Sequence, residues 1–339
     1  MKKNNGISLC RSVAMIMIII CHFGTAYGHA SIGQFFQSGV QVFLLISGLL
    51  YGSKEIISCK KWLIGRWERV CVPCYLHLAV IVVLSLIKKI KLSLIGMIQI
   101  LLGLEGYHHI ITFLDNPWSV VGTSHLWFVT VIVICYFGVA FIKTNNLDQL
   151  LFRYKYYIIF VLTVISFVTG LVGVRIDYFI IFLIGYLFSF LKDEAVKKKH
   201  IVISTILFVF AVSLRLAGKK YCDVHGDNNL YLYVIIPFAY NAIAITVYTY
   251  IKGAYELLEK TIPALQRNLF ERTLITIDGL SYYIYITHYM FIDGPISLTR
   301  ISPYSGINII LICCGILVSG FFLKWLTEHM LSFQVVKWR

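Results

Sequence analysis

Long apolar runs constrain the fold of this chain more than any other feature of its sequence. A transmembrane helix needs about 20 predominantly apolar residues. Charged residues make up only 14% of the chain, whereas soluble domains carry about 25%. Ten runs are long enough or apolar enough to span a bilayer: 7–26, 35–52, 70–87, 124–142, 156–174, 177–191, 201–217, 230–251, 274–293 and 306–325. We therefore predict an all-α integral membrane protein, a bundle of about ten transmembrane helices.

Two apolar stretches fit this scheme less well than the others. The run 177–191 is short and follows its predecessor almost directly. An eleventh stretch, Leu92–Leu104, is too short to cross, so we expect it to lie in the membrane interface or to re-enter. Because the longest stretch between runs is only about 36 residues, from 88 to 123, we expect one transmembrane domain over 1–339 with no appended soluble domain.

The distribution of positive charge predicts the topology. The chain has 30 Lys and Arg against 16 Asp and Glu, and in so apolar a protein this excess indicates the positive-inside bias rather than nucleic-acid binding. With the N-terminus inside and ten spans, both termini are cytoplasmic and most basic residues face the cytoplasm. The outer side then receives Lys88, Lys89, Lys91, Arg175, Arg215, Lys219, Lys220 and Arg300. The expected surroundings are a lipid bilayer.

The first run contains two basic residues, Arg11 and His22. Eleven helical steps make three turns plus roughly 20°, with a rise of about 16 Å, so both side chains share one face. A charge at the bilayer centre costs about 2.5–3.5 kcal/mol on insertion scales, and such residues usually face a protein interior or a wet cavity. Histidine suits a general base and arginine suits oxyanions. The alternative is that Arg11 reaches the headgroups and His22 bonds a backbone carbonyl.

Five segments in order carry a resemblance to a known family. They are the Arg11–His22 pair, GVQVFLLISGLL (Gly39–Leu50), KKWLIGRWERVCVPCYL (Lys60–Leu76), SHLWFV (Ser124–Val129) and SYYIYITHYMF (Ser281–Phe291). Together they resemble the acyltransferase-3 family of bacterial membrane acyltransferases, which modify surface carbohydrates. The chain departs from the family at Gln41, where an acidic residue is common.

The resemblance implies a substrate pair and a cellular location. It implies an acyl-CoA co-substrate, most simply acetyl-CoA, on the cytoplasmic side, with no permanently bound cofactor or metal. The acceptor would be a sugar hydroxyl of a cell-envelope or exported glycan, and partner proteins of glycan assembly could deliver it. The location would be the bacterial cytoplasmic membrane. Oligomeric state is not readable from the sequence.

Arg66 and Arg69 match the arginine pair to which the family's donor binding is attributed. They are spaced i, i+3 on one helical face just before the third run, and guanidinium groups suit the phosphates of coenzyme A. The alternative is an ordinary basic cytoplasmic loop, which the neighbouring Lys60 and Lys61 resemble.

Further candidates for substrate binding lie in the fourth and ninth runs. His125 and Trp127 begin the fourth run, where a tryptophan serves either the aromatic belt or as a platform for a sugar ring. The ninth run carries Ser281, Tyr285 and His288 at helical spacing, which favours a cavity-lining role.

Acidic residues near these candidates are not assigned to a partner by the sequence. Asp278 and Asp293 flank the ninth run, and either could orient a histidine. Glu105, His108, His109 and Asp115 fall in the longest outer loop, where we expect them at a solvated surface.

The residues and the resemblance together favour a membrane O-acyltransferase, with His22 and Arg11 as the catalytic pair. His22 would act either as general base or as carrier of the acyl group. One alternative is a transporter or flippase for a small molecule or lipid-linked sugar, although the sequence shows no related halves. Another is a glycan polymerase or ligase, which would more naturally need a larger outer domain.

Overall fold

The computed structural model describes residues 5–191, 195–226 and 228–337. Within these ranges it contains helices and one isolated β-bridge, between Ile111 and Val174, but no strand. The helices are α1 (Asn5–Ala26), α2 (Ala30–Phe36), α3 (Gly39–Tyr51), α4 (Cys59–Ile87), α5 (Leu94–Leu101), α6 (Tyr107–Ile110), α7 (Trp127–Thr144), α8 (Asp148–Arg153), α9 (Lys155–Leu171), α10 (Asp177–Phe188), α11 (Lys198–His225), α12 (Asn228–Leu230), α13 (Ile236–Thr261), α14 (Ala264–Ile292) and α15 (Ser305–Lys337). Short 3₁₀ turns precede α7 and follow α10, and a π-helical turn precedes α13.

Seven helical segments of the described chain are long and apolar enough to cross a membrane. They are Asn5–Ala26, Ala30–Tyr51, Cys59–Ile87, Ser124–Thr144, Lys198–His225, Tyr231–Thr261 and Ser305–Ser332. Two shorter apolar helices, Lys155–Leu171 and Asp177–Leu191, cover the fifth and sixth predicted runs. The ninth run lies within α14 except for its last residue. A multi-pass all-α membrane protein is therefore confirmed, whereas the number ten and the cytoplasmic termini stay predictions.

Several helices continue well past the apolar runs that predicted them. Helix α4 begins at Cys59 instead of residue 70, and the hydroxyl of Ser58 caps it by accepting from the backbone N–H of Lys61 at 3.5 Å. Hydropathy marks only the apolar part of a helix, but Lys, Arg and Glu are good helix formers outside the membrane. This polar extension carries Arg66 and Arg69.

Glycines bring α3 and α10 into close contact. A Cβ added at Gly48 would lie 2.0 Å from the carbonyl oxygen of Phe182, and one at Gly185 would lie 2.0 Å from that of Leu45. Gly52 meets the carbonyl oxygen of Tyr186 at the same distance. Small residues let membrane helices approach backbone to backbone.

Helices α1 and α14 pack side by side in parallel. Arg11, in the N-terminal half of α1, contacts Asp278 in the middle of α14, and His22 contacts His288 and Tyr289 towards the C-terminal ends of both helices. Both helices therefore begin on the same side of the bundle. Between them the chain must cross the membrane an odd number of times, which agrees with the seven runs predicted there. This helix pair holds the candidate site.

Candidate active site

Arg11 is joined to Asp278 inside the bundle. Its Nη1 lies 2.7 Å from Oδ1 of Asp278, and the hydroxyl of Ser8 donates to Oδ2 at 2.9 Å. Ser281 donates to the backbone carbonyl of Asp278 at 2.8 Å. The side chain of Asp278 is only 1% exposed, whereas that of Arg11 is 26% exposed. A guanidinium has five N–H groups, so Arg11 can pair with Asp278 and still bind a second oxygen ligand.

His22 stands at the edge of a polar cavity of about 490 Å³. Its ring lies 5.0 Å from that of His288 and 4.8 Å from that of Tyr289, measured between centroids. The cavity is lined by His22, Thr25, Ala26, Tyr289, Ile292, Asp293, Ser297, Thr299 and Arg300. His22 therefore faces a polar space, as its position in the first run predicted.

Four histidines from different elements form a row that runs inward from this cavity. The ring centroids of His288 and His125 are 4.9 Å apart, and those of His125 and His77 are 6.2 Å apart. We call His22, His288, His125 and His77 the histidine row. His77, His125 and His288 are at most 2% exposed. Across the described residues, no three or more His, Cys, Asp or Glu side chains are grouped so that they could hold a metal ion.

Backbone contacts fix the proton positions of two inner histidines. Nε2 of His125 lies 2.9 Å from the carbonyl oxygen of Ile286, and Nδ1 of His288 lies 2.6 Å from that of Tyr285. Because a carbonyl oxygen only accepts, each of these ring nitrogens donates, and the opposite nitrogen of a neutral ring carries a lone pair. Those opposite atoms, Nδ1 of His125 and Nε2 of His288, have no hydrogen-bond partner among the described residues. The row thus presents basic nitrogens in a buried region.

His77 completes the row and was not singled out in the sequence. It bonds the backbone of Gly122, and its Nε2 has no partner among the described residues. An intramembrane histidine in the third run is the same signal that pointed to His288 in the ninth. Applied to every run, that criterion would have found it.

Tyrosines of α14 hold the surrounding helices in register. The hydroxyl of Tyr285 donates to the carbonyl of His125. The hydroxyl of Tyr282 donates to the carbonyl of Val70 at 2.7 Å, close to Pro73 inside α4. These bonds tie α14 to α4 and to the start of α7, and so they fix the rings of the row relative to one another.

The predicted substrate-binding residues separate into three groups. His125, Tyr285 and His288 converge behind His22, whereas Ser281 lies beside Asp278 at the Arg11 end. Trp127 is buried and stacks on His109 at a centroid distance of 4.6 Å, which covers one face of its indole. The lining of the 490 Å³ cavity comes instead from other residues of α1, of the end of α14 and of the loop after α14.

The two predicted donor-binding arginines differ in their surroundings. Arg66 donates from Nη1 to the hydroxyl of Tyr51 at 2.8 Å, and its guanidinium carbon lies 5.1 Å from the centroid of that ring. Tyr51 packs against Trp62 and Tyr136, so Arg66 is held in place. Arg69 is exposed. One arginine is anchored and the other is open to solvent.

The expectation of a solvated loop is wrong for Glu105, which is buried at 2% exposure, and holds only in part for His108 and His109, which are half-buried. The hydroxyl of Ser119 donates to its Oε1 at 3.3 Å. Burial raises the pKa of Glu105 to about 7, and hydrogen bonds from Ser119 and Asn116 only partly offset this. Asp115 in the same loop is exposed, as expected.

The fold and the site define a polytopic membrane protein with a histidine row that ends at a polar cavity. A profile of the acyltransferase-3 family, described as an acyltransferase domain, matches residues 4–329. The chain belongs to this family, and the resemblance drawn from the sequence is confirmed. No curated protein and no solved structure gave a significant match. Membership of this family indicates that the protein is a membrane acyltransferase.

Proposed function

We propose that the protein transfers an acyl group, most simply acetyl, from cytoplasmic acyl-CoA to a hydroxyl of a cell-envelope or exported glycan. The observation that supports this best is the position of His22. It lines a polar cavity on the same helix pair that carries Arg11 in a buried ion pair. Family membership supports acyl transfer. The acetyl group, the glycan acceptor and the bacterial cytoplasmic membrane belong to the proposal.

In the transfer step His22 acts as general base. Its unprotonated ring nitrogen takes the proton of the acceptor hydroxyl while the hydroxyl oxygen attacks the thioester carbonyl carbon. The carbon–sulfur bond breaks, and the thiolate of coenzyme A takes up the proton from His22. In the alternative route His22 first receives the acyl group, and the hydroxyl then displaces it from the ring. Both routes need an unprotonated His22.

Arg11, Arg66 and Arg69 serve the donor in this proposal. Arg66 and Arg69 bind phosphates of coenzyme A at the cytoplasmic extension of α4. The acyl-pantetheine arm enters the bundle past Arg11 and reaches towards His22, about 16 Å further along α1. The guanidinium of Arg11 carries N–H groups suited to the thioester carbonyl oxygen, on which negative charge develops.

Behind His22, the buried residues predicted to bind substrate have a positioning role in this scheme. His125, Tyr285 and His288 set the orientation of the His22 ring through ring contacts and backbone bonds. Ser281 supports Asp278, and through it Arg11. Trp127 packs at the start of α7.

The test is the fate of the donor in proteoliposomes that contain only the purified protein. Acetyl-CoA labelled in the acetyl group, supplied on one side with a glycan acceptor, is expected to lose its label to the glycan and release free coenzyme A. A transporter would move a substrate and leave the thioester intact, which would contradict the proposal. Mass analysis of envelope glycans with and without the gene tests the acceptor class, by loss of an acetyl-sized mass.

A further inference from the structure

The polar cavity beside His22 opens at the C-terminal ends of α1 and α14. Four of its lining residues, Asp293, Ser297, Thr299 and Arg300, belong to the loop that follows α14. Its volume of about 490 Å³ falls within the range of about 300–1,000 Å³ typical of small-molecule sites. Under the predicted topology this is the outer face of the protein.

Hydrogen bonds within the lining leave acceptor atoms facing the cavity. The hydroxyl of Tyr289 donates to Oδ2 of Asp293 at 3.0 Å, and that of Ser297 donates to the carbonyl of Ile292 at 2.8 Å. The hydroxyl oxygens of Ser297 and Thr299 are 2.9 Å apart. Because Ser297 has already used its only hydrogen, Thr299 must be the donor of that pair. The hydroxyl of Thr299 and the carboxylate of Asp293 therefore offer lone pairs to a ligand.

Arg300 supplies the complementary donors. Its side chain is exposed, as is that of Asp293, and within the described residues Arg300 forms no ion pair. One carboxylate and one guanidinium give these two loop side chains no net charge. A sugar hydroxyl both donates and accepts, so a polyol can satisfy Asp293, Thr299 and Arg300 together. An acidic sugar would gain Arg300 but would bring its own carboxylate close to that of Asp293.

We propose that this cavity binds an uncharged pyranose of the acceptor glycan and presents one of its hydroxyls to His22. The proposal rests on the proposed function for the transfer step. Binding of the sugar itself requires only the cavity, so the two can be tested separately.

The binding test uses the full-length protein in lipid nanodiscs without any acyl-CoA. The probes are the methyl α-pyranosides of glucose, galactose and mannose, with methyl glucuronide as the charged comparison, and binding is followed by saturation-transfer NMR titration. We expect at least one neutral probe to bind, and its Kd to rise at least fivefold in Asp293→Ala, Thr299→Val and Arg300→Gln. Asp293→Glu keeps the carboxylate and should recover part of the affinity. Asp115→Asn, an exposed carboxylate in another loop, should bind as the wild type does.

Each outcome decides between the proposals. Unchanged Kd in both Asp293→Ala and Arg300→Gln, stronger binding of the glucuronide, or no binding of any neutral probe would overturn the sugar site. Sugar binding that depends on Asp293 and Arg300, together with no transfer from labelled acetyl-CoA, would overturn the proposed function and leave the sugar site standing. If the rate of acetyl transfer is unchanged in Asp293→Ala and Arg300→Gln, the sugar site is overturned and the proposed function still stands.

Discussion

Arg11 of α1 and Asp278 of α14 form an ion pair between two parallel helices, with Nη1 2.7 Å from Oδ1. The same two helices bring His22 and His288 together nearer their C-terminal ends. The pair and the histidines therefore share one interface, and the geometry of the site depends on the packing of α1 against α14.

The two single substitutions that break the Arg11–Asp278 pair, Arg11→Ala and Asp278→Ala, are expected to lower the stability of the protein by different amounts. Arg11→Ala removes a guanidinium from a carboxylate that is 1% exposed, whereas Asp278→Ala leaves an arginine that is 26% exposed and can reach water. Loss of one partner of a buried pair costs about 3–5 kcal/mol, so we expect Arg11→Ala near the lower end of that range and Asp278→Ala below it. Thermal unfolding in detergent measures both.

The double variant Arg11→Ala with Asp278→Ala provides the matched control. Removing both partners leaves no unpaired charge, so its cost should be smaller than the sum of the single costs. Equal and additive losses would mean that the pair contributes little to the packing of α1 on α14.

The arginines at the polar N-terminal extension of α4 are expected to act on the donor alone. Arg66→Ala and Arg69→Ala should each raise KM for acetyl-CoA about tenfold, because a hydrogen bond to a charged group contributes about 1.5–3 kcal/mol. The value of kcat should change little. Lys60→Ala and Lys61→Ala, exposed neighbours on the same extension, should stay within about twofold of wild type, as exposed charges contribute little. A KM unaffected by either arginine would place the donor elsewhere.

His77 lies deepest in the histidine row and offers a test of whether the row serves catalysis. His77→Asn keeps a side-chain donor for the backbone of Gly122 but removes the unpartnered Nε2. We expect kcat to fall about tenfold, less than the loss for a direct base, with KM for acetyl-CoA and the melting temperature unchanged. The exposed His225→Ala serves as control. If the activity of His77→Asn is unchanged, His77 has only a packing role.

Glu105 gives the stability of the protein a defined pH dependence. Burial raises its pKa from 4.5 to about 7, so the folded protein holds this proton more tightly than the unfolded chain. The stabilisation is fully present below about pH 4.5 and is lost as the pH rises through about 7. Glu105→Gln should therefore be more stable than wild type at pH 8, by at most about 3 kcal/mol, whereas at pH 5 the difference should be about 1 kcal/mol or less.

Thermal unfolding at both pH values measures this difference, with the exposed Asp115→Asn as the control that should show none. A Glu105→Gln difference that is the same at pH 5 and pH 8 would show that the carboxyl does not titrate between them.

The sequence predicted the helical elements well because transmembrane helices are marked by their own apolar composition. The ends of the helices were less well predicted. Helix α4, for example, begins at Cys59 with a polar extension, which a hydropathy pattern does not detect. Arg11 and His22 were found because polar residues inside an apolar run are conspicuous. The ion pair between Arg11 and Asp278 was not predicted. Asp278 and Asp293 were considered only as groups that could orient a histidine, because the partner of Asp278 depends on how α14 packs against α1.

The cavity residues could not have been predicted in the same way. Ser297, Thr299 and Arg300 lie in a short loop of ordinary composition, and only the fold brings them to His22. Glu105 was misjudged because position in a loop predicts solvent, whereas the packing of this loop against α7, where Gly106 donates to Thr130, buries it.

The most direct measurement is acetyl transfer by His22→Ala, per mole of folded protein in proteoliposomes, with labelled acetyl-CoA and acceptor glycan. General acid–base catalysis contributes about 10²–10⁴-fold, so the rate should fall at least about 100-fold. His29→Ala, an exposed histidine just beyond α1, should transfer at the wild-type rate. A stably inserted His22→Ala protein that transfers acetyl as fast as wild type would contradict the account.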